Sequence, residues 1–138
     1  MPARLFLDAT VLFSAAWRPE AGLTRLWRLG TAADLLTSPF AIEEARRNLP
    51  DPPALSRLSR LLAGVVVVPD ATGEVPAAAA ALPEKDHPIL LAALRAGATH
   101  LVTGDHRHFG RWFGRTLAGL RVVTPRQALD DVGGRIRK

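Results

Sequence analysis

The stretch Arg4-Leu5-Phe6-Leu7-Asp8-Ala9-Thr10-Val11-Leu12 constrains this chain more than any other. An apolar run stops at one carboxylate, and a second apolar run follows at once. Leu5, Phe6 and Leu7 read as a short buried strand. That reading puts Asp8 at the strand's carboxyl end, the edge at which open α/β sheets build sites. A charge buried there costs several kcal/mol unless it is paired, hydrogen-bonded or bound to metal. Asp8 is therefore a helix cap or a functional group. The test is whether other elements bring carboxylates to the same edge.

The rest of the chain alternates strands with helices. The segments Thr10–Trp17 and Glu20–Leu29 carry apolar residues at helical spacing, with Leu23, Leu26 and Trp27 on one face. Ala33–Thr37 reads as a second strand. Ser38 caps the next helix, which has Pro39 in its first turn and runs to about Leu49. Asp51 caps another helix with Leu55, Leu58, Leu61 and Leu62 on one side. Val65–Val68 is all β-branched and reads as a strand buried on both faces. Ala77–Ala81 starts a helix that Pro83 interrupts. Asp86–Ala96 is a helix closed by Gly97, and Pro88 is tolerated in its first turn. His100–Thr103 and Leu120–Thr124 are further strands, with a helical piece at Phe109–Phe113 between them. Pro125 opens a closing helix to about Asp131. This alternation predicts a parallel sheet covered on both faces, an α/β domain over residues 1–132 with a basic tail at 133–138.

Composition narrows the function. A chain of 138 residues, 48% hydrophobic, suits one domain with a core of its own. The absence of cysteine excludes disulfides and thiolate metal sites. No apolar run approaches the roughly 20 residues of a membrane span. The first residues lack the pattern of a signal peptide, so a soluble cytoplasmic protein is expected. The net charge of +5 is carried almost wholly by arginine and suits a polyanion such as RNA or DNA. Base composition or a hot habitat would enrich arginine and alanine in the same way.

Three further acids join Asp8. Asp105, like Asp8, directly follows an apolar strand, and a parallel sheet places two such residues at one edge. Glu44 lies mid-helix, next to the inward face of Ile42 and Ala45. Asp86 starts a helix, near free backbone N–H groups. Converging carboxylates raise one another's pKa, and a divalent cation removes the conflict. A ligand set of oxygens alone favours Mg²⁺ or Mn²⁺ over zinc. Such an ion polarises a phosphoryl oxygen and acidifies bound water, which phosphodiester hydrolysis requires. Each acid also has a plainer reading: Asp8 as a cap, Glu44 as a solvated helix residue, Asp86 as an N-cap and Asp105 as a turn residue. Taken together the plain readings require both strand ends to carry acids by accident.

In their order and spacing, Leu5-Phe-Leu-Asp8-Ala-Thr-Val-Leu12, Ser38-Pro-Phe-Ala-Ile-Glu-Glu44, Asp86-His-Pro-Ile-Leu-Leu-Ala-Ala93 and Leu101-Val-Thr-Gly-Asp105 resemble the motifs of PIN-domain nucleases. The likeness spans almost the whole chain, and its specificity lies in the ordered set rather than in any single motif. It implies a Rossmann-like α/β/α sandwich and metal-dependent endonucleolytic cleavage of RNA. It implies that Asp8, Glu44, Asp86 and Asp105 form the catalytic, metal-binding site for Mg²⁺ or Mn²⁺. Many short members are VapC-like toxins, so a small antitoxin is an implied partner. The family often has Asn or Ser where this chain has Thr10, whose hydroxyl can still hold a carboxylate or a metal-bound water. Thr103 matches the threonine before the family's last acid and can orient Asp105.

Arg46, Arg47, Arg107 and Arg111 lie near the acids in sequence and can hold RNA phosphates, with a solvated face as the plainer reading. His106 and His108 are candidates for acid–base groups or phosphate contacts, with two polar loop residues beside the site as the plainer reading. Trp17, Trp27 and Trp112 read as core or dimer surface, and the Leu23–Trp27 face with Trp17 suggests a homodimer. A haloacid-dehalogenase-like phosphatase needs an acid where Thr10 stands. A nucleotide-binding module needs a glycine-rich loop after the first strand. A non-catalytic RNA binder of the same fold, and a nuclease of RNA processing, stay open as alternatives.

Overall fold

Leu5, Phe6 and Leu7 are wholly buried, and the strand that carries them, β1 (Ala3–Leu7), lies inside a six-stranded sheet. The computed structural model describes residues 2–136. The other strands are β2 (Ala33–Thr37), β3 (Val66–Val67), β4 (His100–Val102), β5 (Arg115–Leu117) and β6 (Leu120–Val123), in the order β3-β2-β1-β4-β6-β5. All neighbouring pairs are parallel except β5 with β6. Buried parallel strands have no polar face, which is why the inner strands read as unbroken apolar runs.

The helices are α1 (Ala9–Trp17), α2 (Pro39–Asn48), α3 (Pro52–Leu62), α4 (His87–Arg95), α5 (His106–Phe109) and α6 (Pro125–Ile136). Helix α1 packs on α2 and α3, while α6 packs on the 3₁₀ segment Gly22–Arg28 and against β4 and β6. Ser38 and Asp51 cap their helices as the sequence predicts, accepting from Ala41 N at 3.3 Å and Ala54 N at 2.9 Å. No helix among the described residues is long and apolar enough to cross a membrane.

Register decides where the site forms. Leu7 pairs with Val102, so Asp8 and Thr103 leave the sheet at the same level. The Asp8 N–H donates to Val102 O and the Thr103 N–H to Val123 O, each at 3.0 Å. Backbone bonds thereby set the ends of β1, β4 and β6 side by side.

Four expectations change. Val65–Val68 is not a central strand: only Val66 and Val67 pair, at the sheet's edge, and they are 57% and 49% exposed. A β-branched run signals extended backbone but does not say which neighbours cover it. The sheet is not wholly parallel, because β5 returns on β6 through Ala118-Gly119, with φ of +55° and +87°. That turn belongs to the mirror-image hairpin class, for which alanine gives no sequence signal. The segment after α1 is a 3₁₀ helix whose Leu26 is buried and whose Leu23 and Trp27 pack on the core. Trp27 Nε1 donates to Leu61 O at 2.9 Å, so this face is used inside the molecule and only Trp17, 41% exposed, remains outside. Finally, α6 continues past Asp131 through Gly133 and Gly134 to Ile136; Arg137 and Lys138 lie outside the described residues.

Candidate metal centre

Asp8 is both cap and site residue. As N-cap of α1 its Oδ1 accepts from Ala9 N at 2.8 Å. Its Oδ2 accepts from Thr103 Oγ1 at 2.7 Å and from Thr10 Oγ1 at 3.0 Å. The two threonines also tie down the far side: Thr10 Oγ1 accepts from Gly104 N at 2.9 Å and Thr103 Oγ1 from Asp105 N at 3.1 Å. Burial pushes the Asp8 carboxyl above its ordinary pKa; the bonds from Thr103, Ala9 and Thr10 pull against this, and the charge of Asp105 adds to it.

Asp105 caps α5, its Oδ1 accepting from His108 N at 3.0 Å. The same turn carries the His108 ring back toward the cap. His108 Nδ1 lies 3.1 Å from Asp105 Oδ2 and 2.8 Å from Asp86 Oδ2. Asp86 stands at the start of α4 but makes no side-chain cap bond. One ligand atom each from Asp86, Asp105 and His108 falls within 4.8 Å of the others.

The contact between Asp86 and His108 has the length of a hydrogen bond but not its direction. Asp86 Oδ2 and His108 Nδ1 are both buried and neither has a hydrogen-bond partner. Leaving such atoms unmatched costs about 1–3 kcal/mol each. Lone pairs that converge without bonding one another fit an ion between them, so the donor set suits a divalent cation. Burial raises the Asp86 pKa most; His108 opposes this, and the charges of Asp105 and Asp8 add to it.

Glu44 borders the group. Its pKa is raised by burial first and then by Asp8, with Asp86 contributing and Arg47 and Lys85 opposing. It lines a groove of about 540 Å³ between α1 and α2, together with Thr10, Phe13, Ser14, Asn48 and Gly104. Phe13 stacks on the exposed Trp17, ring centroids 6.3 Å apart.

The structure therefore brings Asp8, Asp86 and Asp105 to one edge, with Glu44 in electrostatic contact. Where oxygens alone were expected, the group of potential ligand atoms also includes a nitrogen, that of His108. The signal was present as spacing: the third residue after an N-cap returns to that cap, as in a capping box. His106 is exposed and meets Phe113 edge-on at 5.0 Å. The four arginines are solvent-facing; Arg46 pairs with Glu43 at 3.2 Å, and Arg111 lies over the Trp112 ring at 5.5 Å.

No protein-family model and no curated protein sequence matches the chain. Solved structures do. A chain from the crystal structure of VapBC2 from Rickettsia felis, bound to a DNA fragment from its promoter, superposes with a TM-score of 0.62 at 15% identity. That match covers 88% of this chain and 98% of the other. The crystal structure of PAE2754 from Pyrobaculum aerophilum gives 0.59 at 19% identity, covering 97% and 99%. At these identities the likeness is one of fold, and it is the α/β fold expected from the PIN-like motifs.

Proposed function

We propose that the chain is a metal-dependent endoribonuclease of the PIN type, and the toxin of a type II toxin–antitoxin pair. The observation that carries the reading is the convergence of Asp86, Asp105 and His108, with Asp86 Oδ2 and His108 Nδ1 buried and without a hydrogen-bond partner, in electrostatic contact with Asp8. Mg²⁺ or Mn²⁺ bound there would polarise a phosphoryl oxygen and acidify a bound water. The protein's own part is positioning. Thr103 and Thr10 fix Asp8 against rotation. Glu44, with its raised pKa and its place on the groove, is suited to take a proton from an attacking water. Exposed Arg46, Arg47, Arg107 and Arg111 can meet RNA phosphates.

The toxin role rests on the sequence motifs together with the fold shared with a chain of the VapBC2 complex. It makes a small antitoxin the natural partner, with a second copy of the chain held through the Trp17 region, and the cytoplasm the place of action.

The test uses purified protein, RNA and either Mg²⁺ or Mn²⁺. Cleavage should stop in EDTA. Asp8→Asn should lower the rate by orders of magnitude while circular dichroism stays unchanged. Cleavage that persists in EDTA overturns the metal reading. Expression should arrest growth, in a manner that needs Asp8 and is relieved by the neighbouring small gene. An active enzyme that causes no arrest removes the toxin role and leaves a nuclease of RNA processing.

A further inference from the structure

We infer that His108 is a direct ligand of the metal through Nδ1, and that this nitrogen biases the centre toward Mn²⁺ over Mg²⁺. The inference rests on the proposed presence of a divalent ion at the Asp86–Asp105 edge.

Three observations carry it. The first is aim: Nδ1 is 2.8 Å from Asp86 Oδ2 and 3.1 Å from Asp105 Oδ2, so the ring points between the two carboxylates. The second is that no aligned hydrogen bond fixes the pose; the contacts have ion-pair length, and a cation bound between the groups would take the place of a ring proton. A histidine that merely hydrogen-bonds Asp86 would align its N–H with the oxygen, yet both atoms are buried and unpartnered. The third is fixation. The His108 N–H is spent on Asp105 Oδ1, and the next residue, Phe109, is buried and donates its N–H to Asp105 O at 3.0 Å. These bonds fix the backbone from which the ring departs, and the side chain is largely buried where it meets the two carboxylates. A core histidine packed among apolar groups does not fit either, because two carboxylates face this one.

Ligand chemistry then sets the preference. Mg²⁺ is hard, demands near-octahedral oxygen ligands and parts with water reluctantly. Imidazole nitrogen suits the later transition ions better than it suits Mg²⁺, and Mn²⁺ stands at the near end of that series. Coordination by Nδ1 places the ring proton on Nε2. An oxygen-only version of this centre would show little discrimination between the two ions.

The test needs no RNA. Full-length protein stripped with EDTA is titrated with Mn²⁺ and with Mg²⁺ by calorimetry, as wild type, His108→Asn and Asp105→Asn. Asparagine can place an amide oxygen close to the position of Nδ1. His108→Asn should weaken Mn²⁺ binding by about tenfold or more and Mg²⁺ binding far less, within the about 10–100-fold range typical of altered metal shells. Asp105→Asn should weaken both ions. Electron spin-echo spectra of the wild type with Mn²⁺ should show imidazole nitrogen coupling, which needs no variant and holds even if His108→Asn folds poorly. Absence of that coupling, or an unchanged Mn²⁺-to-Mg²⁺ ratio in His108→Asn, overturns the inference while leaving the metal site standing. Failure of the wild type to bind either ion overturns both.

Discussion

Replacing Thr103 with valine removes one oxygen from a wholly buried residue and keeps its shape. The hydroxyl does two things: it donates to the buried Asp8 carboxylate at 2.7 Å and accepts the Asp105 N–H at 3.1 Å. A hydrogen bond to a charged group contributes about 1.5–3 kcal/mol, and a donor left without a partner adds about 1 kcal/mol. Thr103→Val should therefore cost about 3 kcal/mol without metal wherever Asp8 is ionised. At this chain length that lowers Tm by roughly 10–15 °C. The loss should depend on pH in a definite sense. Asp8 already has a raised pKa, and removing its strongest hydrogen-bond donor raises it further. The penalty is complete where folded Asp8 is ionised and shrinks as pH falls from neutral toward 4 and the carboxyl takes up its proton, leaving a neutral lost bond of about 0.5–1.5 kcal/mol. Thermal melts and urea titrations in EDTA at both pH values measure this. A Tm within about 2 °C of wild type, or the same loss at both pH values, would refute the reasoning.

Other outcomes follow from the same forces. In EDTA the protein should gain stability as pH falls from neutral toward the ordinary carboxylate values of 3.8 and 4.5, because Asp8, Glu44 and Asp86 are all raised and their charged forms are penalised in the folded state. Thermal melts across that range should show the gain, and saturating metal should reverse its direction. At lower pH the sign changes: Asp131 is depressed mainly by Arg121, at 2.7 Å, so that contribution is present above 3.8 and is lost as pH falls through the folded value, a loss reduced in Arg121→Ala. Ala118→Asn should stabilise by about 0.5–1 kcal/mol in urea melts, since asparagine tolerates the φ of +55° that strains alanine. Val66→Lys on the exposed edge strand should change stability by no more than about 0.5 kcal/mol and reduce self-association seen by light scattering.

Much of the fold was legible because burial on both faces leaves an unbroken apolar run, as in Leu5-Phe6-Leu7, and because Ser38 and Asp51 announce helix starts chemically. What was not legible depended on tertiary neighbours. Val66 and Val67 have the same side chains a central strand would have, and only the absence of a further strand makes them an edge. The β5–β6 hairpin was hidden because its turn places alanine in a conformation usually given to glycine or asparagine. Leu23 and Trp27 looked like surplus apolar area until the 3₁₀ turn laid them on the core.

At the site, the sequence located acids on converging elements but not how each spends its oxygens, and this decides their ranking as ligands. A carboxylate offers roughly four lone-pair directions. Asp8 commits one at Oδ1 to Ala9 and two at Oδ2 to Thr103 and Thr10. Asp105 commits one, to the His108 N–H. Asp86, freed from capping by the 3₁₀ turn Glu84–Asp86 that precedes α4, leaves its buried Oδ2 unbonded. The residue that looked most like a mere cap thus keeps a buried oxygen unbonded, and the residue that organises the sequence is the most committed. Asp8 then has one oxygen direction left for an ion held by Asp86, Asp105 and His108, or reaches it through water. Its larger contribution is negative charge held still at the mouth of two strands, which Asp8→Asn removes and Thr103→Val leaves in place but unmoored.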